Sequence, residues 1–400
     1  MPFAVVALVL AGSWALKSRR GETMQALTGR SILVGSVVVL GIGVTAAVLL
    51  IRHYGGGSAS QQLDVIRTAG TIVVGTGGAV ALLLTARRQR YTELTLAHQR
   101  EVAISTEFDA TERRITELYT KAADQLGSEK AAVRLAGLYA LERLGESSPG
   151  QRQTIINLLC AYLRMPYEYP AEDEPKRDAV EEEHVRRAVV RVIGRHSIAG
   201  NDEYWRVPQI DLSGAALRKA ELAEVDFRLA KLSGADLAGA NLSQANLRGA
   251  DLTGANLAGA RMSMADLVAA DLTDADLSNA SLFWARLAPA NLNGARLVEA
   301  ELRHADLRGA ALLRAVLDRA AMSNAKLSRA GLLGASLVAV VARNADLSGV
   351  VARDVDFTDA TLTGAKVADA DFTGAKFDGA NLVGVDLMSA TGVPPDQRQP

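Results

Sequence analysis

The spacing of apolar positions changes twice along this chain. Residues 1–86 carry unbroken apolar runs, residues 87–208 carry the three-to-four spacing of helical faces, and from Ile210 to Ala390 the apolar positions recur every five residues without an insertion. The run Ser31 to Ile51, SILVGSVVVLGIGVTAAVLLI, has 21 residues and no charge. At helical rise that length spans a hydrocarbon core of roughly 30 Å. Ala69 to Ala86 is a second uncharged run, of 18 residues, and residues 2–16 form a shorter one. Together they predict a membrane region over residues 1–86, with helices at about 2–16, 31–51 and 69–86. The basic residues near the first run, Lys17, Arg19 and Arg20, follow it rather than precede it, unlike a secretory leader.

Basic flanks orient the spans. Lys17, Arg19, Arg20 and Arg30 lie between the first two runs and RRQR, Arg87 to Arg90, follows the third, whereas the loop between runs two and three is Gly/Ser-rich and poorer in charge. The chain after Arg87 is therefore expected on the cytoplasmic side of a cytoplasmic (inner) membrane that it crosses more than once. Small residues four apart, Thr71, Gly75 and Ala79 in one run and Gly41 and Thr45 in another, allow helices to approach closely, in a hairpin or in self-association.

Residues 87–165 read as a cytoplasmic helical adaptor. Ile115, Leu118, Tyr119 and Ala122 share one helical face, and Val133, Leu135, Leu138, Tyr139, Leu141 and Leu144 another. Ser128 and Glu129 resemble a helix start, Gly145 a stop, and SSPGQ a turn into a helix from Arg152 to Met165. The pair has the texture of one α-solenoid unit. Residues 166–208 then read as a Pro-rich acidic linker and a capping helix from Ala179 to Ile193.

The period of five fits neither a helical face nor a strand's alternation, but it fits a backbone that turns a corner every five residues. Of 36 central positions from Leu212 to Leu387, 27 are Leu; two residues earlier, 31 of 37 positions are Ala. Each turn then buries one Leu and one Ala and turns the intervening Asp or Asn outward. The units ADLAG, ANLSQ, ANLRG, ADLTG and ANLAG resemble the A(D/N)LXX pattern of the pentapeptide-repeat family. That resemblance implies an all-β right-handed quadrilateral β-helix over residues 209–391, of about nine coils with four pentapeptides each, and a disordered tail over 392–400. Coils stacked at roughly 4.8 Å make a rod of about 43 Å.

Departures from the repeat sharpen this expectation. Ala342 and Ala352, where the central residue shrinks, follow Val340 and Val350, where Ala is the rule, so volume lost at one inward position returns at the other. A coil of twenty residues stacks Phe357 on Phe377 and Ala352 against Phe372. The Phe-rich last coils either brace a C-terminal homodimer contact or fill the end of the rod.

Composition narrows the function classes. The chain is 49% hydrophobic but only 4% aromatic, and 44 basic residues nearly cancel 45 acidic ones. A repeat core of Leu and Ala accounts for the first imbalance, and the near-neutral charge gives no general case for direct nucleic-acid binding. Cys160 is the only cysteine, and the five histidines are scattered without metal-ligand spacing. No catalytic set, cofactor motif or metal set is expected, and the many outward Asp and Asn read as corner-holding residues.

Some members of the resembled family mimic DNA and bind DNA gyrase, which offers an alternative reading as a topoisomerase regulator. Their surfaces are strongly acidic, whereas this repeat holds 22 Asp/Glu against 18 Lys/Arg, and residues 281–330 are net basic. The primary expectation is a non-enzymatic membrane-anchored scaffold that presents the rod to an unidentified protein partner, with the bilayer contacted by the N-terminal helices. Its candidate contact patch is Phe283, Trp284, Arg286, Arg303, His304 and Arg308, where aromatics stand at normally small or polar outward positions and twenty-residue stacking brings Arg303 beside Phe283, His304 beside Trp284 and Asp306 beside Arg286.

Overall fold

The computed structural model describes residues 29–169, 177–207 and 209–393. The expected helix at 2–16, residues 170–176 of the linker and residues 394–400 of the tail lie outside them. The chain divides into two compact units, residues 1–111 and 112–400.

α1 (Gly29–Tyr54), in the first unit, and α2 (Ala59–Leu126), which begins in the first unit and ends in the second, are both expected from the uncharged runs and are long and apolar enough to cross a membrane. α2 continues without a break past Arg87, so the expected boundary between span and adaptor falls inside one helix. Both helices put large apolar residues outward, among them Val37, Val38, Leu49 and Leu82, and bury small ones, Gly43, Ala47 and Ala69. The helices approach closely at Gly43, where a Cβ would lie 2.5 Å from Thr76 Cγ2. The expected close-approach residues are not at this contact: Gly41 and Gly75 have open space where a Cβ would stand, and Thr45, Thr71 and Ala79 are exposed. The reason is angular, since at about 100° per residue Gly41 and Gly43 look in nearly opposite directions.

In the second unit, α3 (Ala131–Ser147), a 3-10 turn (Pro149–Gln151), α4 (Arg152–Arg164) and α5 (Arg177–His196) pack through Leu138, Leu141, Ile155, Leu159, Leu163, Val185, Val189 and Ile193. The sequence places these helices within a few residues, but Gly145 does not stop α3. It lies inside the helix, where an added Cβ would come within 2.2 Å of the Trp205 ring. The glycine makes room for a close approach, which periodicity alone cannot distinguish from a terminus. Behind Trp205, buried His196 stacks on its ring at 4.0 Å and reaches Glu142 Oε1 through Nε2 at 3.1 Å and the Glu203 carbonyl through Nδ1 at 2.6 Å.

α5 lies against the first turn of the repeat. Beyond its end Ile198 forms an antiparallel bridge to Val225, and the Ser197 carbonyl accepts from the Asp226 N–H at 2.7 Å. At this corner the edge of the repeat is therefore paired rather than left open, which hinders strand addition there.

From Asp211 to Thr391 each bridge joins a residue to the one twenty positions on, always in parallel, as in Asp211↔Lys231 and Asp371↔Thr391. Between bridges the chain turns: the Ala215 N–H donates to the Leu212 carbonyl at 3.0 Å, with Gly214 at φ 67°, and this pattern recurs along the rod. A positive φ at the third residue marks a type II turn, which favours Gly. Twenty non-glycine residues among those described adopt it as well.

The Leu and Ala positions are buried as expected through residue 377, Leu237 and Ala240 completely, while Ala380, Leu382 and Leu387 of the last coil are half-buried. Phe357 stacks on Phe377 at 5.2 Å between centroids and 9° between planes, and Phe372 meets both edge-on at 5.8 and 5.4 Å. The phenylalanines thus fill the rod from inside. Val340, Ala342, Val350 and Ala352 are all buried, so both members of each Val/Ala pair lie inside, and Val355 beside Phe357 is buried as well. Ala342 and Ala352 lie in the same twenty-residue turn of chain as Phe357, whose ring meets Phe372 and Phe377 of the next. Val393 is buried too, two residues into the stretch read as a tail.

Candidate functional site

The outward Asp and Asn residues form the regular background against which any site stands. Asp251 Oδ1 accepts from the Thr253 N–H at 3.1 Å, Asn256 Oδ1 from Ala258 at 3.2 Å and Asp276 Oδ1 from Ser278 at 3.0 Å, each two residues on. These are Asx turns, which hold the corner by satisfying a backbone donor. Ladders add to them, as where Asn291 Nδ2 donates to Asp271 Oδ1 at 3.2 Å and Thr273 Oγ1 at 2.8 Å. No group of three His, Cys, Asp or Glu suited to a metal ion occurs among the described residues.

One corner departs from this background. Trp284 is 50% exposed and lies flat on His304, with centroids 4.7 Å apart and planes 5° apart. Phe283 stands edge-on to both, at 6.2 Å from Trp284 and 5.8 Å from His304, and the Arg303 guanidinium lies 5.9 Å from the Phe283 ring centre. Trp284 and His304 have φ of 58° and 61°, twenty residues apart at the same corner position, so both side chains leave the corner side by side. An aromatic stack of this kind contributes about 0.5–1.5 kcal/mol beyond buried area. It holds the Trp284 ring in place while leaving half of it in solvent.

The structure brings four of the six expected residues together and separates two. Arg286 bridges Asp306 through the backbone, but its guanidinium reaches Asp266 at 3.0 Å instead. Asp306 is held by Arg308 in a two-pronged contact of 2.8 and 2.7 Å, and that hydrogen bonding keeps its carboxyl below the usual range. Arg286 and Arg308 thus belong to acid–base pairs on the adjoining face, not to the aromatic cluster. Spacing could not assign these partners, because Asp266 and Asp306 lie one coil to either side of Arg286, and Asp306 also lies two residues before Arg308. Arg303 keeps its place while pairing with Glu301.

Sequence reasoning missed Met264. Its N–H donates to the Phe283 carbonyl at 2.8 Å, it holds the same corner one coil earlier, and it is 56% exposed. The signal was available, since Met264 lies twenty residues before Trp284. With it the corner presents Met264, Trp284 and His304 in a row, flanked by Phe283 and Arg303.

Comparison with known proteins agrees with the repeat. The family description "Pentapeptide repeats (8 copies)" matches residues 210–249, 250–287, 280–319, 295–330, 315–359 and 356–391. Among solved structures, HetL, a pentapeptide repeat protein involved in heterocyst differentiation regulation from the cyanobacterium Nostoc sp. strain PCC 7120, is 34% identical over 49% of this chain and 93% of its own, with a TM-score of 0.26. Trypsin-treated QnrB1, a plasmid-mediated fluoroquinolone resistance protein, is 20% identical over 39% of this chain and 76% of its own, with a TM-score of 0.32. Rfr23, from the cyanobacterium Cyanothece 51142, is 28% identical over 29% of this chain and 58% of its own, with a TM-score of 0.11. No curated protein matches the chain. Leucine every fifth residue, parallel bridges at twenty-residue spacing and the matches over residues 210–391 lead to one conclusion: this chain belongs to the pentapeptide-repeat family.

Proposed function

We propose that the chain is a membrane-tethered protein-interaction module. In this reading α1 and α2 cross a cytoplasmic membrane, and a right-handed quadrilateral rod of nine coils works in the cytoplasm without catalysing a reaction. The observation that carries the interaction role is the corner at Trp284. A half-exposed indole backed by His304 and flanked by Phe283, Met264 and Arg303 has the composition of a contact centre: aromatic area already ordered, so little side-chain entropy is lost on binding, with a cation at its rim. Arg286 and Arg308, on the adjoining face, serve as rim charges.

Regulation of a topoisomerase through DNA mimicry is the less favoured alternative. An anionic track is broken here by alternation, since the bridged positions Asp266, Arg286, Asp306, Lys326 and Asp346 change sign at every step.

The test is recovery of partners from solubilised membranes with the full chain and with Trp284→Ala. The proposal expects the variant to keep its melting temperature and lose a specific partner. An unchanged partner profile at unchanged stability would refute it.

A further inference from the structure

A cleft of about 560 Å³ opens between α5 and the first turn of the repeat, remote in sequence from Trp284. That volume lies in the range of small-molecule sites, roughly 300–1,000 Å³. One wall is the face of α5 that carries Arg187, Arg191 and Arg195 at four-residue spacing; the facing wall carries Arg218 and Lys219, and Tyr167 and Tyr169 close one side. Six cationic side chains line the cleft against two acidic ones, Glu183 and Glu221. Glu221 does not neutralise it, because its carboxylate accepts from Asn241 at 2.8 Å and pairs with Arg261 at 3.3 Å further along the rod.

The cations differ in how they are engaged. Arg186 pairs with Glu182 at 2.9 Å, Arg187 with Glu183, Arg195 with Glu142 at 3.2 Å and Arg218 with Asp236 at 2.5 Å. Arg191 and Lys219, on opposite walls, have no acidic partner among the described residues. The Tyr167 hydroxyl is buried and has no hydrogen-bond partner among the described residues. Tyr169 accepts from the Arg218 N–H at 2.8 Å, which leaves its own O–H to donate. The uncommitted groups are therefore all donors: a guanidinium, an ammonium and two phenols. An oxyanion with several acceptor oxygens matches that set, and a phosphoryl group meets the planar fork of an arginine and the point charge of a lysine together.

We propose that this cleft binds a phosphate-bearing small molecule, with Arg191 and Lys219 on its phosphoryl oxygens and the Tyr167 hydroxyl donating to the same group. The site is independent of the Trp284 corner, so failure of one proposal leaves the other standing. The test is calorimetric titration of inorganic pyrophosphate, at constant ionic strength, into the full chain held in phosphatidylcholine nanodiscs. Saturable binding is expected, weakened about tenfold or more by Arg191→Ala and by Lys219→Ala, as loss of a charge-assisted hydrogen bond requires. Tyr167→Phe removes only the unpartnered hydroxyl, and is expected to weaken binding about threefold or more without lowering the melting temperature. A purely structural Tyr167 would leave affinity unchanged. Nanodiscs containing phosphatidylglycerol separate the sources: competition with pyrophosphate identifies a lipid headgroup, and unchanged affinity a soluble ligand. Absence of saturable heat up to about 10 mM, or equal affinity in the double variant Arg191→Ala/Lys219→Ala, would overturn the proposal.

Discussion

Replacing Ala352 by Leu restores the commonest residue of its position, so the repeat alone expects no cost or a gain. The packing expects the reverse. Ala352 is fully buried, its N–H donates to the Asp371 carbonyl at 2.8 Å, and the inward residue one coil on is Phe372, itself 1% exposed and edge-on to Phe357 and Phe377. Three added carbons meet that ring, and overpacking of this kind costs about 1–3 kcal/mol. Phe372→Leu alone forfeits two aromatic contacts at about 0.5–1.5 kcal/mol each, about 1–3 kcal/mol together. Combined, the substitutions restore volume: the Leu at 352 occupies space vacated by the ring, and the pair is expected to cost at least 1 kcal/mol less than the sum of the singles, a coupling of the size adjacent residues show. Thermal melts followed by circular dichroism read this directly, since about 1 kcal/mol moves the midpoint by about 2–4 °C in a unit of this size. Additive losses, or a neutral Ala352→Leu, would mean that the rings are not arranged as described.

Three other consequences are open to measurement. Gly145→Ala, which in an exposed helix interior gains about 1 kcal/mol, is expected to lower the melting temperature here because the new methyl meets the Trp205 ring. Burial pushes the Cys160 thiol up to about 12, so iodoacetamide at pH 8 is expected to label the native chain far more slowly than the denatured one, and equal rates would contradict its burial. Asp371, held by the Thr373 hydroxyl and then by Arg353, has its carboxyl lowered from 3.8 to about 2. A depressed carboxylate stabilises above its unfolded value and loses that contribution as pH falls, so the melting temperature of Asp371→Asn should fall less than that of the native chain between about pH 4 and pH 2.

What could be read in the sequence divides along physical lines. Periodic features were legible: a Leu every fifth residue fixes what lies inside, and a twenty-residue coil places Phe357 on Phe377 and His304 on Trp284 before any coordinates are known. Features that depend on side-chain choice or on chain segments distant in sequence were not. Arg286 turned to Asp266 rather than Asp306, because two acids, one coil to either side, compete for one flexible guanidinium. Gly145 had the form of a helix stop, and only the arrival of Trp205, sixty residues on, shows it to be a packing glycine. The basic cleft is assembled from the segment after α4, one face of α5 and the first corner of the repeat, none of which is unusual alone.

The interaction role turns on whether the corner at Trp284 meets a partner. A photoreactive amino acid placed at position 284 of the full chain, in intact membranes, should yield a discrete crosslinked species, while the same probe at Gln244, two coils away on the same corner, should not. Crosslinking that is equal at the two positions would contradict the claim.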